Sequence, residues 1–359
     1  MESFLAYFKK KIENNQRLSE DDALALARCD DLLALGELSA LANRRQNGDR
    51  VYFNRNRHIN YGNICVNRCA FCAFRRDEEE SGAFLLSPEE AGERAAVAAA
   101  AGATEVHMVG GLHPERPLAY YLDLLREVRR RAPGVHIKAF TAVEIDHLHR
   151  LSGLPLPALL QNLRDAGLDS LPGGGAEIFA EGVRAKICPE KISGERWLEV
   201  MAEVHRSGLR SNATMLFGHL ESWEDRIDHL RRLRQLQDET GGFMAFIPLP
   251  FQDDNAGLPG VKGPTGVEIL KTLAVSRLYL DKFRHVKAYW VMLGVKLAQV
   301  SLAFGVNDLD GTVVEERIGH AAGAESPQAL SGEELMNLIR RAGRQPVERD
   351  SLYVEIGVN

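Results

Sequence analysis

Apolar positions follow two different spacings along the chain. In the first 50 residues, apolar side chains recur every three or four positions, as at Leu5, Phe8 and Ile12, which is typical of amphipathic helices. After residue 50, short apolar runs alternate with longer stretches that keep the helical spacing. The short runs predict eight strands, at about 55–61, 104–109, 135–142, 169–172, 211–217, 243–249, 286–293 and 306–310.

Helices are predicted in the intervals between these runs. Near residues 88–101, Ser87 suits an N-cap, Pro88 suits the first helical position, and Gly102 suits the end of the helix. Other segments keep the same apolar stripe without such complete end signals. They predict further helices at 117–132, 156–166, 194–207, 223–239, 265–283 and 332–343, and a short strand-like tail at 351–357.

A strand followed by a helix, repeated about eight times, favours an α/β fold with a parallel sheet. Eight such units predict a (β/α)8 barrel of the TIM type, with functional residues at the carboxyl ends of its strands. An open doubly wound sheet is the alternative. The chain would then divide into an N-terminal helical leader (1–50), a barrel (51–315) and a C-terminal extension packed on the barrel (316–359).

Composition and charge exclude several classes of partner. The 359 residues include 44 Lys and Arg against 50 Asp and Glu, which gives a net charge of −6. Without a basic block, we expect neither nucleic acid nor a membrane surface as a partner. The apolar segment 288–306 is nearly long enough to span a bilayer, but Gly294 and Lys296 interrupt it. We therefore predict a buried strand running into a helix there, and a cytoplasmic protein.

Three of the five cysteines fall within eight residues, directly after the first predicted strand: Cys65, Cys69 and Cys72. They could be buried apolar thiols, or zinc ligands if a fourth group such as His58 joined them. Soft thiolates on one short loop suit an iron–sulfur cluster better. Three ligands for four irons would leave one iron open to chemistry. The other two cysteines, Cys29 and Cys188, are predicted to be structural thiols.

The CxxxCxxC spacing, with Phe71 just before the last cysteine, resembles the cluster loop of the radical SAM enzymes. The resemblance implies that the three thiolates hold a 4Fe–4S cluster. It also implies that S-adenosyl-L-methionine (SAM) chelates the open iron and that Phe71 packs against SAM. An electron from the cluster then cleaves SAM to methionine and a 5′-deoxyadenosyl radical. The resemblance therefore predicts both cofactors, with SAM used as a co-substrate.

A second feature of that superfamily is a glycine-rich turn after the second strand. Gly110 and Gly111 occupy this position, where the absence of Cβ lets backbone carbonyls approach the SAM amino group. The usual next residue is Glu, and here it is Leu112. For the SAM ribose, carboxylates are suitable acceptors, and the candidates are Glu177 and Glu144. Glu177 is preferred because a glycine run, at 173–175, precedes it.

Two longer runs, 171–178 and 307–316, resemble a small group of radical SAM families. The group contains the aminofutalosine synthases and dehypoxanthine futalosine cyclases of menaquinone biosynthesis, and the units that make the deazaflavin FO. Leu309-Asp310-Gly311 most resembles the aminofutalosine synthases, whereas Gly62 stands where this group has Thr. The resemblance implies a transferase that adds the adenosyl radical to 3-[(1-carboxyvinyl)oxy]benzoate. Rearrangement and loss of bicarbonate then give 6-amino-6-deoxyfutalosine, with flavodoxin or ferredoxin as electron donor.

Alternation along the strands predicts which side chains face the inside of the barrel. The polar set comprises His58, Asn60, His107, Lys138, Asn212, Thr214, Lys287 and Tyr289. Because the implied substrate carries two carboxylates, Lys138 and Lys287 are candidates to bind it, and Asn307 is a third candidate at the end of the last strand. The candidate catalytic residues are His58, His219 and Asp310.

Overall fold

The computed structural model describes residues 2–357. Its strands are β1 (Arg50–Asn54), β2 (Asn56–Asn60), β3 (Glu105–Val109), β4 (His136–Ala139), β5 (Ser170–Leu171), β6 (Arg210–Phe217), β7 (Phe243–Pro250), β8 (His285–Val286), β9 (Asp308–Gly311) and β10 (Gln345–Glu348). Its helices are α1 (Glu2–Glu13), α2 (Glu20–Ala27), α3 (Leu32–Asn47), α4 (Pro88–Ala100), α5 (Leu118–Arg131), α6 (Ala142–Ser152), α7 (Leu156–Ala166), α8 (Glu181–Ile187), α9 (Gly194–Arg206), α10 (Trp223–Thr240), α11 (Gly266–Tyr279), α12 (Trp290–Leu293), α13 (Val295–Ser301), α14 (Ile318–Ala322) and α15 (Gly332–Arg341).

Seven strands, β2 to β8, form one parallel sheet in the order in which they occur along the chain. The segment that starts at β9 bridges the two edges of this sheet, because Lys287 pairs with Asp308 and Arg57 pairs with Val314. The sheet is therefore closed into a barrel, as predicted. The doubly wound alternative is wrong, because such a sheet needs a point where the strand order reverses.

A second, three-stranded sheet joins the two ends of the chain to the barrel. In it β1 pairs in parallel with β9 on one side and with β10 on the other. Since β1 runs into β2 with only Arg55 between them, the C-terminal strand is hydrogen-bonded to a continuation of the first barrel strand. The apolar core is continuous from the N-terminal helices through the barrel to Leu335 and Ile339 of α15.

Local signals explain where most helices begin. Ser87 accepts a hydrogen bond from the Glu90 N–H, and the Glu90 side chain accepts one from the Ser87 N–H, so α4 begins with a capping box. The same reciprocal arrangement starts α10 at Ser222 and Asp225. The helices predicted at 88–101 and 223–239 are confirmed to within one residue at each end.

Three predicted strands differ from those in the structure. The strand predicted at 135–142 ends at Ala139, because Thr141 and Glu144 form a capping box that starts α6. The strand predicted at 286–293 ends at Val286, and α12 takes up its second half. The tail predicted at 351–357 is not a strand within the described residues; the C-terminal strand is β10, which lies earlier and pairs with β1.

The apolar segment 288–306 holds two short helices, α12 and α13, which are separated at Gly294. Gly294 has φ +76, a backbone conformation that other residues rarely adopt. Among residues 2–357 no helix is long and apolar enough to cross a membrane.

Candidate active site

A cavity of about 330 Å³ lies inside the barrel and at the carboxyl ends of its strands. This is the end at which barrel enzymes carry their functional residues, and the volume lies within the range of small-molecule sites. Besides the cysteines, the polar and charged residues that line it are His58, Asn63, Asn67, Arg75, Glu105, His107, Lys138, Thr141, Glu144, Glu177, Lys191, Asn212, Thr214, Gln252, Lys287, Tyr289, Asp310 and Glu316. Apolar side chains from β3, β6 and β7 and from the loops at their carboxyl ends form part of the remaining wall.

The loop after β2 brings its three cysteines to this cavity, and Phe71 lines it beside them. Burial raises the pKa of Cys65, whereas the backbone N–H groups of Leu112 and Asn67 point at its sulfur and lower that pKa. These N–H groups are the donors that stabilise thiolates holding a metal cluster. Within residues 2–357 no three His, Cys, Asp or Glu side chains converge tightly enough to hold one metal ion.

The glycine turn after β3 packs directly against this loop. The Gly111 N–H donates to the Gly62 oxygen at 2.9 Å, and the Val66 N–H donates to the Leu112 oxygen at 3.0 Å. An added Cβ at Gly111 would lie 2.2 Å from the Ile64 oxygen. Only glycine fits this approach. Gly62 is less constrained, because its added Cβ would lie 2.7 Å from Leu85 Cδ1, the end of a side chain, and 3.2 Å from the Phe84 oxygen. A larger residue there would require the Leu85 side chain to shift.

Replacing Gly111 with alanine is expected to weaken SAM binding, because the turn and the cysteine loop must separate. A displacement of about 1 Å near a reacting centre can cost roughly 10²-fold in rate, so we expect a loss of that order in methionine release. Equilibrium dialysis would show a parallel loss of SAM affinity. Gly134→Ala is the matched control, since its added Cβ has no neighbour within 4 Å. Equal SAM affinity in both variants would contradict a role for this turn.

The two carboxylates suggested for the SAM ribose have different surroundings. Glu144 is fully engaged: it accepts hydrogen bonds from the Tyr61 hydroxyl at 2.6 Å, the Gly110 N–H at 3.1 Å and the Thr141 N–H at 2.6 Å. Burial raises the pKa of Glu144, and these donors oppose that rise. Glu144 therefore holds the glycine turn in place. Glu177 has φ +48, a strained conformation for a non-glycine residue, and only its Oε1 is engaged, by Lys191 at 2.6 Å.

Sequence reasoning missed two neighbours of the cysteine loop, Cys188 and Lys191. The Ala70 N–H donates to the Ile187 oxygen at 2.7 Å, which joins the end of α8 to the loop. Lys191 Nζ lies 5.2 Å from the centroid of the Phe71 ring. Burial raises the pKa of the Cys69 thiol to about 12; Lys191 lowers that pKa, and a negative charge on Cys188 raises it. Cys188 is thus close to the loop in space, although it is distant in sequence.

The two lumen lysines are not free cations. Lys138 Nζ lies 2.5 Å from Glu105 Oε2, and Lys287 Nζ lies 2.6 Å from Asp310 Oδ1. Burial alone would raise the pKa of Glu105, but Lys138 holds it well below its usual value. Each lysine already pairs with a carboxylate of the chain. The expectation that they bind the carboxylates of a substrate stays a prediction.

Asp310, a candidate catalytic residue, lies in the cavity wall with its backbone at φ +63. Burial would raise its pKa, but Lys287 holds that pKa far below the usual value, so the side chain is a carboxylate. Its backbone N–H donates to Asp308 Oδ1 at 2.6 Å, and Asp308 in turn pairs with the fully buried Arg349. A residue in this conformation next to a cavity is a frequent mark of a functional site.

Two predicted site residues lie outside the cavity wall. Asn307 is fully buried, where its Oδ1 accepts hydrogen bonds from Arg277 at 2.6 Å and from the Val286 N–H at 3.1 Å. The His219 ring is likewise turned to its own loop, where its Nδ1 accepts a hydrogen bond from the Leu220 N–H at 2.7 Å. His219 follows β6 as predicted, whereas Asn307 directly precedes β9 instead of lying at the end of a strand. Both side chains support the protein around the site.

Glu316 and His320 hold the segment that forms another part of the cavity wall. Glu316 Oε1 accepts hydrogen bonds from the N–H groups of Ile318 and Gly319, and His320 Nδ1 lies 3.1 Å from Glu316 Oε2. The hydrogen bond to Glu316 raises the pKa of His320 to about 9. The segment is thus clamped by a charged pair at neutral pH.

This pair predicts a pH-dependent stability. The folded protein binds the His320 proton with a pKa of about 9, against 6.5 for an ordinary histidine. The stabilisation is therefore fully present below about pH 6.5 and is lost as the pH rises through about 9. We expect the melting temperature of wild type to exceed that of His320→Gln at pH 6, with the difference disappearing by about pH 10. A difference that does not change with pH would contradict the pairing.

The comparisons with known proteins agree with this site. The sequence pattern described as the radical SAM superfamily matches residues 59–233, and that described as the CofH/MqnC C-terminal region matches residues 240–357. The chain is 49% identical over 353 residues to aminodeoxyfutalosine synthase of Thermus thermophilus. This match covers 97% of this chain and 95% of that protein. The chain therefore belongs to the radical SAM superfamily and is a radical SAM enzyme. Membership implies a 4Fe–4S cluster and SAM.

A second relative carries a different name. The chain is 45% identical over 319 residues to 5-amino-6-(D-ribitylamino)uracil--L-tyrosine 4-hydroxyphenyl transferase of Methanopyrus kandleri. This match covers 87% of this chain and 86% of that protein. The fold also has a solved counterpart: the crystal structure of methylornithine synthase superposes with a TM-score of 0.74, over 94% of this chain and 97% of that one, at 18% identity.

The residues present fit the implied cofactors. Three thiols from one loop share a cavity, and the sulfur of Cys65 accepts hydrogen bonds from backbone N–H groups. The turn at Gly111, where only glycine fits, packs against this loop. Cys65, Cys69 and Cys72 would hold the cluster, whereas Gly110, Gly111 and Phe71 would contact SAM. The ammonium group of Lys191 lies close enough to offset part of the negative charge that three thiolates bring.

Proposed function

We propose that this protein adds the adenosyl group of SAM to the vinyl carbon of 3-[(1-carboxyvinyl)oxy]benzoate. Rearrangement, loss of one carboxyl group with water as bicarbonate, and return of the electron that cleaved SAM would then give 6-amino-6-deoxyfutalosine for menaquinone biosynthesis. The observation that carries this proposal is the 49% identity to an aminodeoxyfutalosine synthase over 97% of the chain. The match spans the barrel and the C-terminal region alike.

In this proposal the cluster and SAM together supply the adenosyl radical, and the residues of the chain position the cluster, SAM and the substrate. Cys65, Cys69 and Cys72 would hold the cluster, and Glu177 would offer its second carboxylate oxygen to the SAM ribose. Radical addition needs the two reacting carbons at roughly 3–3.5 Å, with hydrogen donors kept away. Leu216 of β6 and Leu249 of β7 line the cavity, and their C–H bonds can donate hydrogen atoms. The vinyl carbon therefore has to be held closer to the radical carbon than these side chains are.

The reaction begins with one electron delivered to the cluster. We propose a small acidic electron carrier, flavodoxin or ferredoxin, as the donor, with the reaction taking place in the cytoplasm. Spectroscopic reduction of the reconstituted protein by flavodoxin, in the presence and absence of SAM, would test the donor.

The second candidate function is that of the ribitylaminouracil–tyrosine transferase, to which the chain is 45% identical. The two functions differ in what they need from the cavity. One substrate is a single aromatic dicarboxylate, whereas the other pair consists of an amino acid and a polyol-bearing heterocycle. The longer and higher match to the aminodeoxyfutalosine synthase favours the first function.

Parallel incubations with each substrate set would decide between these functions. The anaerobically reconstituted protein, SAM and dithionite would be mixed with the enolpyruvyl benzoate, or with tyrosine and 5-amino-6-(D-ribitylamino)uracil. We expect 6-amino-6-deoxyfutalosine in the first mixture and no new adduct in the second. Omission of dithionite is the control. An adduct only in the second mixture would overturn the proposal.

A further inference from the structure

Among residues 2–357, three buried polar atoms on residues of the cavity wall have no hydrogen-bond partner. One is Nε of Arg75, whose side chain pairs with Asp77. The other two belong to residues that are more than nine-tenths buried. They are Nε2 of His58 on β2 and Oδ1 of Asn212 on β6. The two residues are only 5% and 3% exposed, so bulk water does not easily satisfy them. Buried polar groups are nearly always paired in folded proteins, and an unpaired one lowers stability. Two such atoms facing one cavity therefore indicate a ligand that supplies their partners.

The charged groups of the lumen do not fill this role. Lys138 and Lys287 pair with Glu105 and Asp310, as described above. Nearer the cluster loop, Lys191 pairs with Glu177. What this part of the cavity offers a ligand is therefore neutral hydrogen bonding, because burial also lowers the pKa of His58 and keeps its imidazole uncharged.

His58 also belongs to a flat aromatic surface. Its ring stacks on His107 of the neighbouring strand, with 4.4 Å between centroids and 24° between planes. The two residues are direct partners in the register of β2 and β3. Ile247 and Leu249 of β7 belong to the apolar lining of the same cavity. A surface of this kind favours a planar aromatic ring with one polar substituent.

We propose that His58 and Asn212 bind the aryl carboxylate of the substrate, with the ring lying against the His58–His107 stack. This inference rests on the proposed function and specifies which half of the substrate the barrel holds. His58 Nε2–H would donate to one carboxylate oxygen. The Asn212 amide, whose orientation no protein hydrogen bond fixes, would donate from its N–H2 end to the other. The enolpyruvyl half is then left to face the SAM site.

The test compares two ligands that differ only at the ring carboxylate. The reconstituted holoenzyme, saturated with SAM and without reductant, would be titrated calorimetrically with 3-[(1-carboxyvinyl)oxy]benzoate and with its ring carboxamide. We expect wild type to prefer the carboxylate by at least tenfold. In His58→Phe, which keeps a flat ring, carboxylate affinity should fall roughly 10- to 150-fold, the factor expected for a lost hydrogen bond to a charged group. The preference for the carboxylate over the carboxamide should also disappear in this variant.

Other variants exclude a merely structural effect. His58→Gln can still donate a hydrogen bond and should restore part of the preference, whereas Asn212→Leu should lose it as His58→Phe does. The matched control is His136→Gln, a histidine at the start of β4 that bonds Ser170 and lies outside the cavity wall. It should bind both ligands as wild type does. SAM affinity, measured in each protein, reports whether the fold is intact.

The outcomes separate this inference from the proposed function. If wild type forms the adenosyl adduct but His58→Phe and Asn212→Leu keep the full preference for the carboxylate, the inference is wrong and the function stands. If wild type forms no adduct and binds neither ligand, the proposed function fails, and the assignment of these residues to an aryl carboxylate fails with it.

Discussion

Cys69→Ala is expected to lose all measurable cleavage of SAM. Cys69 is the most buried of the three loop cysteines, and its thiol lies beside Lys191 in the cavity wall. Removing it leaves only two thiolates for four irons, so the cluster would no longer have three protein ligands and one open iron for SAM. Methionine release from the reconstituted protein should fall below detection, and bound iron should drop with it. Cys65→Ala and Cys72→Ala should behave in the same way.

Cys29→Ala is the matched control, because Cys29 is a partly buried cysteine just after α2, far from the cavity. It should keep its iron and its activity. Cys188→Ala is the stricter comparison, since Cys188 is close to Cys69 in space; we expect it to keep its iron because the cluster loop supplies the three ligands. A reconstituted Cys69→Ala protein with full activity would contradict the assignment of the cluster.

Lys138→Met is expected to destabilise the fold strongly. The Lys138–Glu105 pair is buried at both ends, with each side chain 2% exposed. Removing the lysine leaves a carboxylate uncompensated inside the barrel, which typically costs about 3–5 kcal/mol. Urea unfolding of the anaerobically prepared protein, followed by circular dichroism, would measure the loss.

The double variant Lys138→Met/Glu105→Leu tests the cause of that loss. Because it removes both charges together, most of the stability should return, and the sum of the single effects should exceed the double effect. If Lys138→Met unfolded like wild type and bound substrate less tightly, the lysine would be a free cation for substrate after all. That result would support the expectation from strand alternation and contradict the ion pair.

The barrel could be predicted from sequence because each strand and helix carries its own signal. Alternation of strands and helices predicts a parallel sheet, and capping boxes such as Ser87 with Glu90 mark helix starts to within a residue. The same signal was present at Thr141 and Glu144, but the apolar run from 135 to 142 continued across it and predicted a longer strand. Competing local patterns, rather than missing ones, caused this error.

The partners of the lumen lysines could not be predicted in the same way. Alternation correctly predicts that Lys138 and Lys287 face the cavity. Their carboxylate partners lie 33 and 23 residues away along the chain, so the pairing depends on the register between strands. Cys188 and Lys191 were missed for a related reason, since only the path of α8 brings them to the cysteine loop. A Cys-Pro-Glu-Lys run after a glycine-rich turn is a signal that could have drawn attention to them.

The fate of the adenosyl group tests the central claim most directly. Most radical SAM enzymes abstract hydrogen and release 5′-deoxyadenosine, whereas the proposed reaction retains the adenosyl group in its product. The wild-type protein would be incubated with adenine-labelled SAM, reductant and the enolpyruvyl benzoate, and the products separated by chromatography with mass detection. We expect the label mainly in 6-amino-6-deoxyfutalosine, with about one methionine released per adduct and little free 5′-deoxyadenosine, because the proposed addition requires the reacting carbons to be held together. Label found mainly in 5′-deoxyadenosine, with no adenine-containing adduct, would contradict the account.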